Sequence, residues 1–319
     1  MPSASADGPP ASVILPTVRW TDACDQVATQ LRPDDELLIV CDDASDPVAA
    51  RRDDGSLPDG VRIVLAGEPE GCSGKANAIA VGMEAATHDR IVWTDDDFDH
   101  PPAWLPTLLD DYEARGATTE VPFFAGKDPF STFLEPMNAL GGSLSVRAGG
   151  IAWAGAVVFD RADLDEAAFH RDLRSAVSDD GTLSEHVDVT PVGRTRRVSA
   201  GGNLRATLER HVRFVKIVRF HDPRGMVGST ALAAVGAAAG VAFPLPTLLV
   251  ATLLMVGVYA VLGVRRWTAL LAYPAMLAAP LLLAYGLGRR TFVWGGRRYR
   301  WRARDDVRVV DRGPQDGDR

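Results

Sequence analysis

Four carboxylates, Asp95, Asp96, Asp97 and Asp99, follow the apolar run Ile91-Val92-Trp93 and precede the turn signal His100-Pro101-Pro102. Like charges about 4 Å apart repel by roughly 4 kcal/mol per pair in a surface-like dielectric. Such a cluster needs solvent or a cation to offset it, and hard oxygen ligands at a strand tip suit Mg2+ or Mn2+. The alternative is a solvated acidic turn. A second acidic pair, Asp179-Asp180, stands before a short helical segment. There Asp180 is either a helix cap or a carboxylate held at a helix N-terminus to accept a proton from a substrate hydroxyl, and spacing leaves both open. The third candidate is the turn Gly71-Cys72-Ser73-Gly74-Lys75. It lacks P-loop spacing, because Pro69 and Ala76 stand where that motif requires Gly and Ser or Thr. A Gly-rich turn opening a helix still offers N–H groups to phosphates, so Lys75 is either a diphosphate contact or a solvated helix-start lysine. Cys24, Cys41 and Cys72 form no CxxC pair, and the six histidines show no metal-ligand spacing. His100 stands beside the Asp cluster and reads as a turn histidine.

The elements that must position these residues follow from apolar periodicity. Short strands are expected at 12–16, 36–41, 61–66 and 90–94, with helices at 20–31 and 75–86 between them. This alternation predicts βαβ units, an α/β fold with a mostly parallel, Rossmann-like sheet. Ligands of such sheets sit outside the carboxyl ends of the strands. Both Asp-rich stretches, 42–46 and 95–99, fall at such ends. Further strands are expected at 119–124 and 151–159, and helices at 130–140 and 161–168.

Charge divides the chain. Residues 1–208 hold 17 Lys+Arg against 35 Asp+Glu, and residues 209–319 hold 17 against 7. An acidic head on a basic, apolar tail predicts a membrane-attached enzyme with no nucleic-acid partner. Lysine occurs only at 75, 127 and 216 against 31 Arg, and Asp outnumbers Glu 32 to 10, a bias like that of proteins from salt-loving archaea. Residues 210–220 interleave basic and apolar positions, as an interfacial helix does. Residues 225–264 carry no charge, and after Arg265-Arg266 residues 268–287 carry none either. A crossing takes about 20 residues, so two to three transmembrane or re-entrant helices are expected, with one segment interfacial and both termini cytoplasmic. The expected organisation is a disordered stretch at 1–11 without a signal peptide, a catalytic domain at 12–208, an interfacial helix at 209–224, membrane helices at 225–288 and a basic, aromatic tail at 289–319. Localisation is expected at the cell membrane, multi-pass, with the catalytic domain cytoplasmic.

In this order the motifs resemble family 2 glycosyltransferases of the GT-A fold, and within them the ceramide-glucosyltransferase-like membrane branch, in a haloarchaeal version. The segment SVILPT, with Pro16, and Asp42-Asp43 look like the nucleotide-binding end. EGCSGKANAIAVGM, residues 70–83, resembles the GKxxAxNxG segment. Asp95 and Asp97 match the DxD that binds a metal nucleotide-sugar, Asp179-Asp180 the Glu-Asp pair whose Asp is the general base, and Arg210 to Phe214 the (Q/R)xxRW motif with Phe214 in place of Trp. The resemblance implies an inverting, Mg2+- or Mn2+-dependent transfer from a UDP- or GDP-sugar to a glycolipid or polyprenyl-phosphate acceptor. It implies Asp180 as base, Arg210 and Arg213 steadying the diphosphate, and Asp179 and Phe214 towards the acceptor. The rival readings are a processive polysaccharide synthase and a catalytically silent membrane scaffold.

Overall fold

The computed structural model describes residues 8–53 and 55–312. By contact the chain divides into two units, the described parts of Met1–Val121 with Gly150–Val192, and of Pro122–Gly149 with Gly193–Arg319. The charge boundary at residue 208 does not coincide with this division. Of the stretch expected to be disordered, residues 1–7 lie outside the described residues, and Ala11 already opens the first strand.

The main sheet is built from β1 (Ala11–Pro16), β2 (Glu36–Cys41), β3 (Val61–Leu65), β4 (Arg90–Thr94), β5 (Thr118–Gly126), β6 (Ala156–Asp160) and β7 (Thr190–Ala200), in the order β3-β2-β1-β4-β6-β5-β7. The β1–β2, β2–β3 and β1–β4 pairs are parallel, and β6 is antiparallel to β4 and β5. β2 and β4 are buried throughout. Both faces are therefore covered, as continuous apolar runs in parallel strands require. The chain reverses its direction of winding at β1, which makes the β1–β4 edge the switch point where such sheets bind ligands.

Glu36 sits buried in this core, its Oε1 accepting from the Ser12 hydroxyl (2.7 Å) and the Thr87 N–H (2.6 Å), with Arg62 on its other oxygen. Burial raises its pKa, but these donors outweigh burial and hold it at about 2. The helix Gly74–Ala85 crosses β1 closely at Gly82, where a Cβ would stand 2.6 Å from the Ile14 side chain.

Two expected elements are corrected. The helix read at 161–168 is a short 3-10 turn, Arg161–Asp163, followed by the helix Glu166–Leu173. The Asp165 carboxylate accepts from the Ala168 N–H and starts the second helix afresh. The helix read at 130–140 is broken into Pro129–Phe133, Glu135–Asn138, a π-turn over Ala139–Ser143 and Leu144–Gly149. Pro129 and Pro136 each open a new turn and Gly141-Gly142 weaken the last. The helix Trp104–Arg115 and β7 were not anticipated.

In the second unit the amphipathic helix is Leu204–His221, begun five residues earlier than expected by the Asn203 cap. Pro223–Ala242, Pro244–Val261 and Trp267–Gly288 are long and apolar enough to cross a membrane. The aromatic tail forms an antiparallel sheet of β8 (Thr291–Trp294), β9 (Arg297–Ala303) and β10 (Asp306–Arg312). Gly295-Gly296, both at positive φ, make its first hairpin, and Phe292, Tyr299, Trp301 and Val307 alternate inward at the strand period.

Candidate active site

The tip of β4 is supported from beneath. The Thr94 hydroxyl donates to the Gly155 carbonyl (2.9 Å), so His100 Nε2, at 2.6 Å, carries the proton that the hydroxyl oxygen accepts. The His100 ring is buried against Phe98 and Trp104, and the His100 backbone N–H donates to the Gln26 side-chain oxygen. His100 is thus a structural prop of the acidic loop. Above it the carboxylates diverge. Asp96 accepts from the Thr17 hydroxyl at the end of β1 (2.6 Å), and burial together with Asp95 pushes its pKa up. Asp97 and Asp99 are exposed and Asp95 is half-buried.

Lys75 joins two of the sequence candidates. Its ammonium lies 2.6 Å from Asp95 Oδ1 and 3.0 Å from Asp179 Oδ2. The second contact is an ion pair without hydrogen-bond geometry, since Asp179 Oδ2 has no hydrogen-bond partner. Burial lowers the Lys75 pKa, but Asp179, Asp95 and Asp180 together raise it above its ordinary value. Local chemistry places Lys75 here. The Ser73 hydroxyl accepts from the Ala76 N–H, capping the helix, and donates to the Val177 carbonyl, while the Ser73 N–H reaches the Ala176 carbonyl. The Gly-rich turn is thereby stitched to the chain just before Asp179.

Asp179 and Asp180 open the helix Asp179–His186, whose cap is Ser178 rather than Asp180. Asp180 Oδ1 instead accepts from the Ala154 N–H, and its carbonyl accepts from Ser184, whose hydroxyl in turn accepts from the Ala152 N–H. Burial first, and the adjacent Asp179 second, push the Asp180 pKa well above the usual carboxylate range, against the pull of Lys75. The arrangement holds one ammonium among three carboxylates from two segments, with Asp180, its pKa raised, in the first turn of its helix.

On the β2 side Asp46 is the keystone, its carboxylate accepting from the Asp42 and Asp43 N–H groups (2.7 and 3.1 Å). Asp43 Oδ1 accepts from the Ser45 N–H and hydroxyl. Asp42, Asp43 and Pro16 are all half-buried at the ends of their strands. Sequence reasoning gave no separate role to Asn77. Its amide donates to the Ala66 and Gly67 carbonyls (3.1 Å each), and Arg174 donates to its oxygen, so it braces the exit of β3. A polar residue on the inner face of an otherwise apolar helix was the available signal.

Arg210, Arg213 and Phe214 belong to the second unit. Arg210 stacks over Phe124 (4.5 Å) and Phe214 (4.8 Å), and Arg213 over Trp294 (3.9 Å).

Among the described residues no group of three or more His, Cys, Asp or Glu is gathered to hold a metal ion. Asp95 and Asp97 nevertheless fit a hard divalent cation of the kind held by one or two carboxylates and completed by substrate phosphates and water. The Lys75 ammonium on Asp95 marks that carboxylate as one already facing positive charge.

Residues 19–147 match the family model described as Glycosyl transferase family 2. A mannosyltransferase from Pyrobaculum calidifontis, solved with GDP-mannose and Mn2+, is 20% identical, with 90% of this chain and 88% of that chain covered at a TM-score of 0.51. Glucosyl-3-phosphoglycerate synthase from Mycobacterium tuberculosis, solved with Mn2+, UDP-glucose and phosphoglyceric acid, is 19% identical over 67% of this chain and 81% of that chain, with a TM-score of 0.42. No curated protein matches in sequence. The family match covers less than half of the chain, and the likeness to the Pyrobaculum enzyme shows the fold.

Proposed function

We propose that the protein transfers a sugar from a nucleotide-diphospho-sugar to the hydroxyl or phosphate oxygen of a lipid acceptor, with inversion at the anomeric carbon. The observation that carries this reading is the convergence of Lys75, Asp95, Asp179 and Asp180 at the carboxyl end of β4. Asp180, with its raised pKa, is the base that takes the proton of an acceptor hydroxyl as the acceptor oxygen attacks. The new C–O bond forms as the bond to the diphosphate breaks, and the nucleoside diphosphate leaves. Lys75 is the diphosphate contact, exchanging its carboxylate partners for phosphate oxygens. Pro16, Asp42 and Asp43 line the nucleoside end, and Arg210, Arg213 and Phe214 serve the diphosphate and the acceptor. Asp95 and Asp97 would hold Mg2+ or Mn2+, which supplies charge neutralisation for the departing diphosphate. The exposed apolar helices support a membrane-borne acceptor and membrane attachment of the protein.

The test is donor binding and turnover in Asp97→Ala, which leaves the Lys75 cluster intact. Mn2+-dependent binding of UDP- or GDP-sugars is expected to fall at least tenfold, about 1.4 kcal/mol. Binding and transfer that ignore both the substitution and a chelator would overturn the metal assignment.

A further inference from the structure

We propose that the apolar helices of the second unit lie within one leaflet of a bilayer, roughly parallel to its surface, and that none of them crosses it. This rests on the membrane attachment proposed above and departs from the multi-pass expectation. A crossing helix puts its ends about 30 Å apart on opposite faces of the hydrocarbon core. Only one of those ends can then meet the polar strand ends of a single water-facing sheet.

In the second unit the third apolar helix is tied towards them at both ends, at its start through Glu135 and at its end through the amphipathic helix. The Lys127 N–H donates to the Ala200 carbonyl (2.8 Å), so the ends of β5 and β7 adjoin. Just beyond β5, Asp128 accepts from the Gly202 N–H (3.0 Å) and the Thr207 hydroxyl (2.9 Å), which anchors the start of the helix Leu204–His221. Two residues on, Glu209 accepts from Arg289 (3.2 Å) and the Val293 N–H (3.0 Å), so it holds the chain where the third apolar helix ends. The beginning of that helix returns to the same strand. The buried Glu135 carboxylate accepts from the Gly126 N–H (2.8 Å) at the end of β5, from Arg266 (2.7 Å) and from the Thr268 hydroxyl. Between its two tethered ends the helix runs against the amphipathic one. His211 Nε2 donates to the Leu282 carbonyl (3.0 Å), and Val215 fills the space beside Gly286.

The other two helices close onto the same frame. The Tyr259 hydroxyl, near the end of the second, meets Thr268 (3.2 Å), and its ring stands edge-on to Phe123 of β5. Tyr273 donates to the Gly240 carbonyl (3.1 Å), and Thr247 to the Ala239 carbonyl (3.1 Å). Those bonds bring the hairpin between the first two helices to the start of the third. Both ends of the third helix, the last turn of the second and the hairpin between the first two are thus tied to the strand-end cluster directly or through one neighbour.

What faces outward suits lipid. Leu232, Leu249, Leu253 and Leu281 are 71, 63, 69 and 77% exposed. Together with their neighbours they make a larger apolar surface than soluble monomers carry. Exposed Arg219, Arg224, Arg265 and Arg290 stand at helix ends, as cations placed to meet anionic headgroups do.

The test uses the full chain bound to sealed phosphatidylcholine–phosphatidylglycerol vesicles, with nitroxide labels on single cysteines replacing exposed residues: Leu232→Cys, Phe243→Cys, Leu249→Cys and Leu281→Cys. Arg52→Cys reports the side of the catalytic unit. Cys24, Cys41 and Cys72 are buried and leave little background. The expected result is flotation with the vesicles, similar shallow depth at all four sites, and reduction of the Phe243 label by ascorbate only from the side that reduces the Arg52 label. Reduction of the Phe243 label from the opposite side, with the Leu232 and Leu249 labels at the bilayer centre, would overturn the in-plane arrangement while leaving membrane attachment standing. Failure to float would overturn the attachment and the arrangement with it.

Discussion

Asp180 and Lys75 hold each other in a state that the pH profile will expose. Burial and Asp179 raise the Asp180 pKa, and Lys75 opposes them. A base must be deprotonated, so kcat/KM is expected to rise with pH through a limb above the ordinary carboxylate value of about 4. Lys75→Met removes the opposing charge and should move that limb to higher pH, apart from any loss in donor KM. A limb that stays in place would show that Asp180 does not set it. The sequence already brought Lys75, Asp95 and Asp180 to notice as separate candidates, because each stood at a strand or helix terminus in a polar run. It did not pair them. The pairing depends on Ser73 binding the Val177 carbonyl across 104 residues, and no local pattern encodes a contact of that separation. His100 reads in the sequence only as a turn histidine, and Asn77 carries no assignment there, for a related reason. A buried polar residue is identified by its partners, Thr94 and Gly155 for one and the Ala66 and Gly67 carbonyls for the other.

Elements were legible where one strong pattern covered them. β1, β2, β3 and β4 each carry an apolar run of three or more residues, and their expected positions agree with the structure within a residue or so. The segment 130–149 and the tail 289–312 were not, because short helices and a hairpin sheet depend on caps and turns more than on a long period. Two polar clasps inside these elements give stability predictions. Glu36 is held at about 2 by its donors. Its folded pKa lies below its unfolded value of about 4.3, so its contribution is complete above that value and is lost as pH falls towards 2. The side chain is 10% exposed, and the shift corresponds to roughly 3 kcal/mol. Glu36→Gln should therefore destabilise the protein by about that much at pH 7 in chemical denaturation, and by progressively less below pH 4. In the second unit, Glu135→Ala leaves Arg266 without its carboxylate and the Gly126 N–H without its acceptor. A loss of about 3–5 kcal/mol is expected, with Glu135→Gln losing less because it keeps an acceptor. Equal stability of the Ala variant and the wild type would remove the clasp from the account.

At the scale of the molecule, a linear cut at the change of charge, residue 208, misses that β5 and β7 each begin in one unit and continue into the other. Acidic and basic halves of a sequence report solvent and membrane environments, whereas contact units follow where strands run. The proposed donor and base chemistry rests on Lys75, Asp95, Asp97 and Asp180, all of the first unit. The most direct test of the central proposal is sugar transfer by the vesicle-bound protein from labelled UDP- and GDP-sugars, with Mn2+ and a membrane lipid extract, comparing wild type with Asp180→Asn. The account predicts label in the lipid phase for the wild type, a loss of about 10²–10⁴-fold in kcat for the variant, and unchanged donor binding by calorimetry. Transfer by Asp180→Asn at the wild-type rate would contradict it.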